Sequence, residues 1–213
     1  MKSLCTIGCG VVLTLLLGAA AQSQSADERF LILLIGPTGS GKTTQVEFLK
    51  KRFGAPTVAV DDLIQANPAA LAKHRRPGIT PGPPQLNPAV DRLVAEKLAS
   101  LDLSRGVVLD GYPASKDQAD HLAALVAKLN LPPPIVIQID LPDDIARQRL
   151  KERERADDTP ELIEERLKHY HREMDMIRSY YPEANTWTVN GDKPVAVVSS
   201  TIEAILKDET SKR

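Results

Sequence analysis

The residues from 36 to 44 have the composition and spacing of a phosphate-binding loop. They read GPTGSGKTT, fit the pattern G-x-x-x-x-G-K-[ST], and directly follow the apolar run 30–35. Closely spaced glycines let backbone N–H groups surround an anion, Lys42 brings a positive charge to the β- and γ-phosphates, and the Thr43 hydroxyl can bind Mg²⁺. A chance glycine-rich turn is the alternative. The segment predicts a nucleotide site formed by Gly36, Thr38, Gly39, Ser40, Gly41, Lys42, Thr43 and Thr44.

A second apolar run ends on an acid. Asp110 directly follows the residues Val107, Val108 and Leu109. In a protein with a phosphate-binding loop, an acid at the end of a buried strand holds Mg²⁺ through water or positions the phosphoryl acceptor. A turn or helix-cap residue before Gly111 is the alternative. We therefore expect the metal contacts to come from Thr43 and Asp110.

Four arginines follow later in the chain: Arg149, Arg153, Arg155 and Arg166. Arg149 and Arg153 stand four residues apart on one face of a predicted helix, a spacing at which like charges repel unless an anion lies between them. Guanidinium groups stabilise the charge that spreads over a transferring phosphoryl group. From spacing alone, a solvated face neutralised by neighbouring glutamates is equally compatible with the pattern.

Apolar runs alternate with helical patterns between residues 29 and 213. The strands are expected at 30–35, 57–60, 106–110, 134–140 and 187–189. Helices are expected over 42–52, 61–67, 69–74, 89–100, 116–129, 143–154, 160–179 and 197–207. The alternation predicts one α/β domain, a P-loop three-layer sandwich whose five-stranded parallel sheet carries helices on both faces. The nucleotide should lie at the C-terminal ends of the strands.

Local signals define several helix ends and one irregular segment. Asp61 or Asp62 can cap the short helix after the second strand, and Ser115 with Gln118 has the spacing of a capping box. Thr159 and Pro160 are typical of a helix start. Residues 77–88 contain five prolines, so they form a linker or, as we favour, a functional surface loop.

Composition narrows the function classes. A formal net charge of −1 and 4% aromatic residues argue against nucleic-acid binding. Residues 1–21 have the pattern of a signal peptide, with an uncleaved anchor or a buried helix as alternatives, and residues 22–28 would be a polar tether. We therefore expect a periplasmic or secreted protein with no membrane span after cleavage. Both cysteines lie in the leader, so disulfide and zinc chemistry are not expected.

The chain resembles the adenylate kinase family of nucleoside monophosphate kinases. The resemblance lies in residues 36–45, in Leu-Asp-Gly-Tyr-Pro at 109–113 followed by Gln118, and in the arginines from 149 to 166 with Asp157-Asp158 between them. It implies a monomeric enzyme that moves the γ-phosphate of ATP, with Mg²⁺, to a small acceptor. It further implies that Lys42 and the four arginines surround the transferring group and that Gln118 faces the acceptor base.

The acceptor side, about 61–100, departs from this family pattern. Val60 stands in place of a threonine, while Gln65 and Ala114 stand in place of arginines that bind the acceptor phosphate. Each lost charge-assisted contact costs on the order of 1.5–3 kcal/mol. Either Arg75 or Arg76 replaces the charge, or the acceptor is not a nucleoside monophosphate.

Two other departures bear on the substrate and on the lid. Asp61 and Asp62 could bind hydroxyls of a polyol or sugar acid, or could serve only as a helix cap. The lid, about 153–160, would be short, and Thr43 replaces a family glycine. Besides a kinase, the sequence allows an ATP-binding module without transfer and an interaction protein with a decayed site.

Overall fold

A five-stranded parallel sheet forms the centre of the protein in the computed structural model, which describes residues 29–72, 88–155 and 158–212. The strands are β1 (Phe30–Ile35), β2 (Thr57–Ala59), β3 (Gly106–Asp110), β4 (Pro134–Asp140) and β5 (Thr186–Asn190). Their order is β2-β3-β1-β4-β5, and every neighbouring pair is parallel. The predicted fold class is therefore confirmed.

Helices surround this sheet. They are α1 (Lys42–Phe53), α2 (Val60–Ala66), α3 (Pro68–Ala72), α4 (Ala89–Ala99), α5 (Lys116–Lys128), α6 (Asp143–Arg153), α7 (Pro160–Tyr180) and α8 (Val195–Ser211). One 3₁₀ turn, Glu183–Asn185, precedes β5. The helix α8 extends beyond the predicted range 197–207 at both ends. At its N-terminal end, Val195 is 57% exposed and contributes little to an apolar pattern.

Alternate residues of β1 pack against different helix layers. Leu31, Leu33 and Ile35 belong to a core shared with α4, α5 and α7, whereas Phe30, Ile32 and Leu34 belong to a core shared with α1 and α8. This division follows from the two-residue period of a strand. A smaller cluster joins α6 to α7 through buried leucines at 150 and 167, and it sets the relative position of the arginines on these two helices.

The predicted cap by Asp61 or Asp62 is wrong. The helix α2 begins at Val60, its N-cap is Ala59, and no side chain caps it. The second strand stops at Ala59, where it pairs with Asp110, and the chain turns at once into the helix. Both acids therefore lie in the first turn of α2, where a negative charge interacts favourably with the helix dipole.

Of the other two helix-cap predictions, one is confirmed and the other is confirmed in part. Thr159 accepts a hydrogen bond from the Leu162 N–H and Pro160 opens α7, as predicted. Ser115 accepts a bond from the Gln118 N–H, but the Gln118 side chain accepts from Ala114, one residue before the position that a capping box requires.

Some predictions fall outside the described residues. They are the leader and tether at 1–28, the segment 73–87 with Arg75 and Arg76, and Asp157. Of the helices that the structure describes, none has both the length and the apolar character needed to cross a bilayer.

Candidate functional site

The chain between β1 and α1 curls into a loop that encloses the Lys42 ammonium group. Gly39 and Gly41 have φ angles of +85° and +89°, which glycine adopts without strain. The Ser40 N–H donates to the Pro37 carbonyl at 3.1 Å. Lys42 Nζ donates to the carbonyls of Gly36 at 2.6 Å and Pro37 at 3.1 Å, so its charge is held at the mouth of the loop.

Tight packing behind the loop explains one of its glycines, Gly36, and a glycine that follows β5, Gly191. A Cβ atom at Gly36 would lie 2.7 Å from the Ile139 carbonyl oxygen, and one at Gly191 would lie 2.8 Å from Ile139 Cγ2 and 2.9 Å from the Asp140 oxygen. Gly191 follows β5 and donates its N–H to Asp140 at 2.7 Å. The loop is therefore backed by the ends of β4 and β5, and sequence reasoning missed Gly191.

The loop has the groups that a phosphate requires. Ser40 lies between two glycines with positive φ angles. Within the described residues, its buried hydroxyl has no hydrogen-bond partner. An unpaired buried hydroxyl within this glycine-rich turn fits an anionic oxygen ligand. The oxygen atoms of Thr43 and Asp110 suit Mg²⁺, an ion that takes few protein ligands when phosphates supply the rest. The described residues contain no group of three or more acids, histidines or cysteines able to hold a metal alone.

Asp110 lies at the centre of the sheet edge, next to the loop. It pairs in register with Leu34 of β1 on one side and with Ala59 of β2 on the other. Burial raises the pKa of the Asp110 carboxyl, the nearby Lys42 ammonium opposes that rise, and the carboxylates of Asp61 and Asp62 add to it. The P-loop lysine, the strand-end acid and the first turn of α2 thus share one site.

Arg149 lies against the backbone of the phosphate loop. Its Nη1 donates to the carbonyls of Gly191 at 3.0 Å and Gly39 at 3.4 Å, and its Nη2 pairs with Asp192 at 3.2 Å. It therefore connects the phosphate loop to the turn after β5.

Arg153 and Arg166 come together on a single carboxylate. Arg153 donates two hydrogen bonds to Asp158 at 2.8 and 2.9 Å, and Arg166 donates one at 2.9 Å. The Asp158 side chain is only 2% exposed, and the Arg153 bonds followed by those of Arg166 hold the pKa of its carboxyl below the usual range. Arg155 is exposed, and its carbonyl accepts from the Asp158 N–H at 2.9 Å. The pair whose spacing suggested a shared anion, Arg149 and Arg153, does not share one: Arg149 lies on the phosphate loop and Asp192, and Arg153 lies on Asp158.

Gln118 lies in the first turn of α5 and is buried. Its Oε1 accepts a hydrogen bond from the Ala114 N–H at 2.8 Å. That bond orients the side-chain amide. Two residues before Ala114, the Tyr112 hydroxyl donates to Asp91 at 2.8 Å. The role of Gln118 toward an acceptor base stays a prediction.

Sequence reasoning missed two titratable groups on α7. Glu173 is half-buried; burial raises the pKa of its carboxyl to about 7, Lys42 opposes the rise, and Asp110 and Asp61 add to it. Burial lowers the pKa of His169, with Arg172 acting in the same direction and Asp61 against it. Glu173 and His169 stand four residues apart and therefore share one face of α7. Two titratable residues on a helix face with apolar neighbours were the feature of the sequence that could have revealed them.

Comparison with known proteins identifies the family. A family model described as adenylate kinase matches residues 34–186. The adenylate kinase of Mycolicibacterium smegmatis is 36% identical over 157 residues, which cover 70% of this chain and 84% of that protein. The adenylate kinase of Methylobacterium radiotolerans is 30% identical over 190 residues, which cover 83% of this chain and 95% of that protein. The chain therefore belongs to the adenylate kinase family of phosphotransferases, which use ATP with Mg²⁺, and its motifs predict the same.

Proposed function

We propose that this protein transfers the γ-phosphate of ATP to a small acceptor bound between α2 and the end of β3, the acceptor being a nucleoside monophosphate or a similar small molecule. The observation that carries the proposal is the approach of Lys42 and Asp110 at the same edge of the sheet. A cation for the phosphates and an acid for the metal or the acceptor then lie at the same edge of the sheet and interact electrostatically.

The protein's own groups do the positioning in this reaction. The loop N–H groups and Lys42 bind the β- and γ-phosphates, and Arg153 and Arg166 face the developing charge from α6 and α7. Mg²⁺, when bound near Thr43 and Asp110, supplies further charge neutralisation. The acceptor oxygen forms a bond to the γ-phosphorus as that phosphorus loses its bond to the bridging oxygen, and ADP departs with the electron pair.

The altered acceptor motifs limit which acceptors fit. Gln65 is exposed on α2 and Ala114 is buried beside Gln118, so neither supplies a charged contact to an acceptor phosphate. We expect AMP to be a poor substrate for this reason. The proposal is tested by coupling ADP formation to a colour change with AMP, CMP, UMP, GMP and small polyols as acceptors. Rapid AMP turnover would refute the expected acceptor preference, and ADP formation with none of them would refute transfer.

A second candidate function is an ATP-binding module without transfer. It is favoured by the engagement of both Arg153 and Arg166 with Asp158, which occupies the place between the two guanidinium groups. Calorimetry with ATP separates the candidates. Tight binding with the γ-phosphate retained in every acceptor mixture supports the module, whereas acceptor-dependent ADP release excludes it.

The proposal includes export from the cytoplasm. Its support is the charge and apolar pattern of residues 1–21. Mass spectrometry of protein purified from its native cells should find a mature chain that begins near Gln22. An intact N-terminal methionine and leader in that material would contradict export by cleavage.

A further inference from the structure

Partly exposed polar contacts join α6 to α7 along their length. His171 Nε2 lies 3.1 Å from a carboxylate oxygen of Asp143, the first residue of α6. One turn further along α6, Arg147 contacts Glu164, which lies seven residues earlier on α7 than His171. The contacts advance along one helix as they recede along the other, so α6 and α7 form an antiparallel pair.

The contact between Arg147 and Glu164 is bidentate. Arg147 Nε donates to one carboxylate oxygen of Glu164, and Nη2 donates to the other at 3.1 Å. Arg147 Nη2 also lies 3.7 Å from Asp143, so the guanidinium group stands between an acid of its own helix and an acid of α7. Two parallel bonds restrain the orientation of both groups as well as their separation. The contact therefore restrains how the two helices are rotated and shifted relative to each other.

The apolar contact between the same helices is less directional. Ala146 and Leu150 of α6 belong to a small buried cluster with Ile163 and Leu167 of α7. Burial of apolar surface is non-directional, so this cluster holds the helices together without fixing side-chain orientation at their polar edge. The directional restraint comes from the hydrogen-bonded charges.

The same two helices supply the arginines that meet on Asp158. Arg153 follows Arg147 by six residues, about 9 Å along the axis of α6. Arg166 follows Glu164 by two residues on α7. The oxygens of a transferring phosphoryl group compete with Asp158 for the N–H donors of both arginines, and each bond that passes to the phosphoryl group weakens the bridge through Asp158. The bidentate contact lies further along the helices and keeps its own partners during this exchange.

We propose that Arg147, through its bidentate contact with Glu164, is a positioning residue for phosphoryl transfer. The contact holds Arg153 and Arg166 at the separation that the transferring phosphoryl group requires. This inference rests on the proposed phosphotransfer. Because Arg149 separately ties α6 to the phosphate loop, loss of the contact should slow the transfer step without weakening ATP binding.

A cycle of single and double substitutions tests the inference. Arg147→Met, Glu164→Gln and the double variant are assayed for transfer from γ-labelled ATP to AMP, CMP, UMP, GMP and glycerol. For the acceptor that the wild type labels fastest, each single variant should lower kcat about tenfold or more, because misplaced charges stabilise the transition state poorly. The KM for ATP should stay within twofold of the wild type. The double variant should be no slower than the slower single variant, since both substitutions remove one contact.

Arg52→Met is the matched control. Arg52 donates two hydrogen bonds to Glu203, at 2.9 and 3.2 Å, and so joins α1 to α8. The control therefore removes an ion pair of the same kind from another pair of helices, and it should keep kcat within twofold of the wild type. Near-ultraviolet circular dichroism checks the fold of each variant. If Arg147→Met is misfolded, Glu164→Gln, which preserves the side-chain shape, decides by its kcat and KM.

Three kinetic results overturn the inference. They are an unchanged kcat in the folded variants, equal losses of kcat in Arg147→Met and Arg52→Met, and additive losses in the double variant. If the wild type labels an acceptor and any of these results is found, the positioning role fails and phosphotransfer stands.

Titration calorimetry separates failure of this inference from failure of the proposed function. If the wild type labels no acceptor, the proposed transfer fails, and binding then decides the inference. The titrants are Mg-ADP alone and Mg-ADP with aluminium fluoride, which mimics a transferring phosphoryl group, both with AMP present. A gain in affinity from the fluoride that Arg147→Met and Glu164→Gln lose, while they bind Mg-ADP alone like the wild type, supports the positioning role. A gain that the variants keep, or no gain in the wild type, overturns it.

Discussion

Arg153 binds the carboxylate of Asp158 through two parallel hydrogen bonds, from Nε at 2.9 Å and from Nη2 at 2.8 Å. Arg166 donates a third bond to the same carboxylate from another helix. The shared carboxylate therefore joins the end of α6 to α7 and fixes the positions of the two guanidinium groups that we propose act on the transferring phosphoryl group. A bidentate contact of this kind restrains orientation as well as charge.

Asp158→Asn should lower both stability and activity. We expect a loss of about 1–3 kcal/mol in the free energy of unfolding at pH 7, because charge-assisted bonds from two arginines are weakened. Since the pKa of Asp158 is lowered in the folded state, its contribution is present above the unfolded pKa and is lost as the pH falls through the folded value. Urea unfolding of both proteins at pH 7 and pH 3 measures this.

Asp192→Asn provides the control for that experiment. Asp192 pairs with Arg149, but its side chain is 52% exposed. Exposed pairs contribute about 0–1 kcal/mol, so this variant should remain close to the wild type. Equal destabilisation by the two substitutions would contradict a special role for Asp158.

Lys42→Ala should reduce phosphoryl transfer by about a hundredfold or more, since it removes the cation that the loop carbonyls hold at its mouth. Lys50→Ala is the control on the same helix, where Lys50 is 58% exposed and pairs only loosely with Glu47. Initial rates of acceptor-dependent ADP formation give the comparison. Transfer that survives intact in Lys42→Ala would remove the proposed mechanism.

Gln65→Arg should improve the use of AMP. A guanidinium at this exposed end of α2 restores one of the two phosphate contacts that the family resemblance implies, and one charge-assisted bond is worth about tenfold or more in kcat/KM. Gln65→Ala serves as the control, because it changes the side chain without adding charge. If both variants use AMP equally well, Gln65 does not face the acceptor phosphate.

Glu173→Gln should change the pH dependence of stability. The folded pKa of Glu173 is about 7 against an ordinary value of 4.5, so its favourable contribution exists below the unfolded pKa and is lost as the pH rises through 7. The variant should therefore match the wild type near pH 4 and exceed it by about 2–3 kcal/mol at pH 8. Chemical unfolding in EDTA buffers tests this, and a constant difference across the range would contradict it.

Gly191→Ala should weaken ATP binding through the packing behind the loop. Its Cβ would approach Asp140 and Ile139 within 2.9 Å, which costs about 1–3 kcal/mol and displaces the carbonyl that Arg149 contacts. Gly54→Ala, whose φ of +66° also penalises alanine, lies at the far end of α1. Both variants should lose stability, but only the first should raise the KM for ATP several-fold in steady-state kinetics.

The core elements and the phosphate loop could be predicted because their signals are local. The continuous apolar runs of β1, β3 and β4 predict strands buried on two faces, and the glycine pattern before Lys42 predicts a loop of inward N–H groups. The start of α2 was missed because it depends on where β2 ends. That end is set by the pairing of Ala59 with Asp110, two residues that are 51 positions apart in the sequence.

By itself, the sequence determined the α/β architecture, the phosphate-binding loop and the family, since each follows from residue types at short spacing. Only the tertiary structure decided that Gly191 backs the loop, that Arg153 and Arg166 meet on Asp158, and that Glu173 is half-buried within electrostatic reach of Lys42 and Asp110. These relationships join residues from different helices and strands. They arise when the parallel sheet brings its C-terminal strand ends to one edge, where interactions depend on distance through space rather than along the chain.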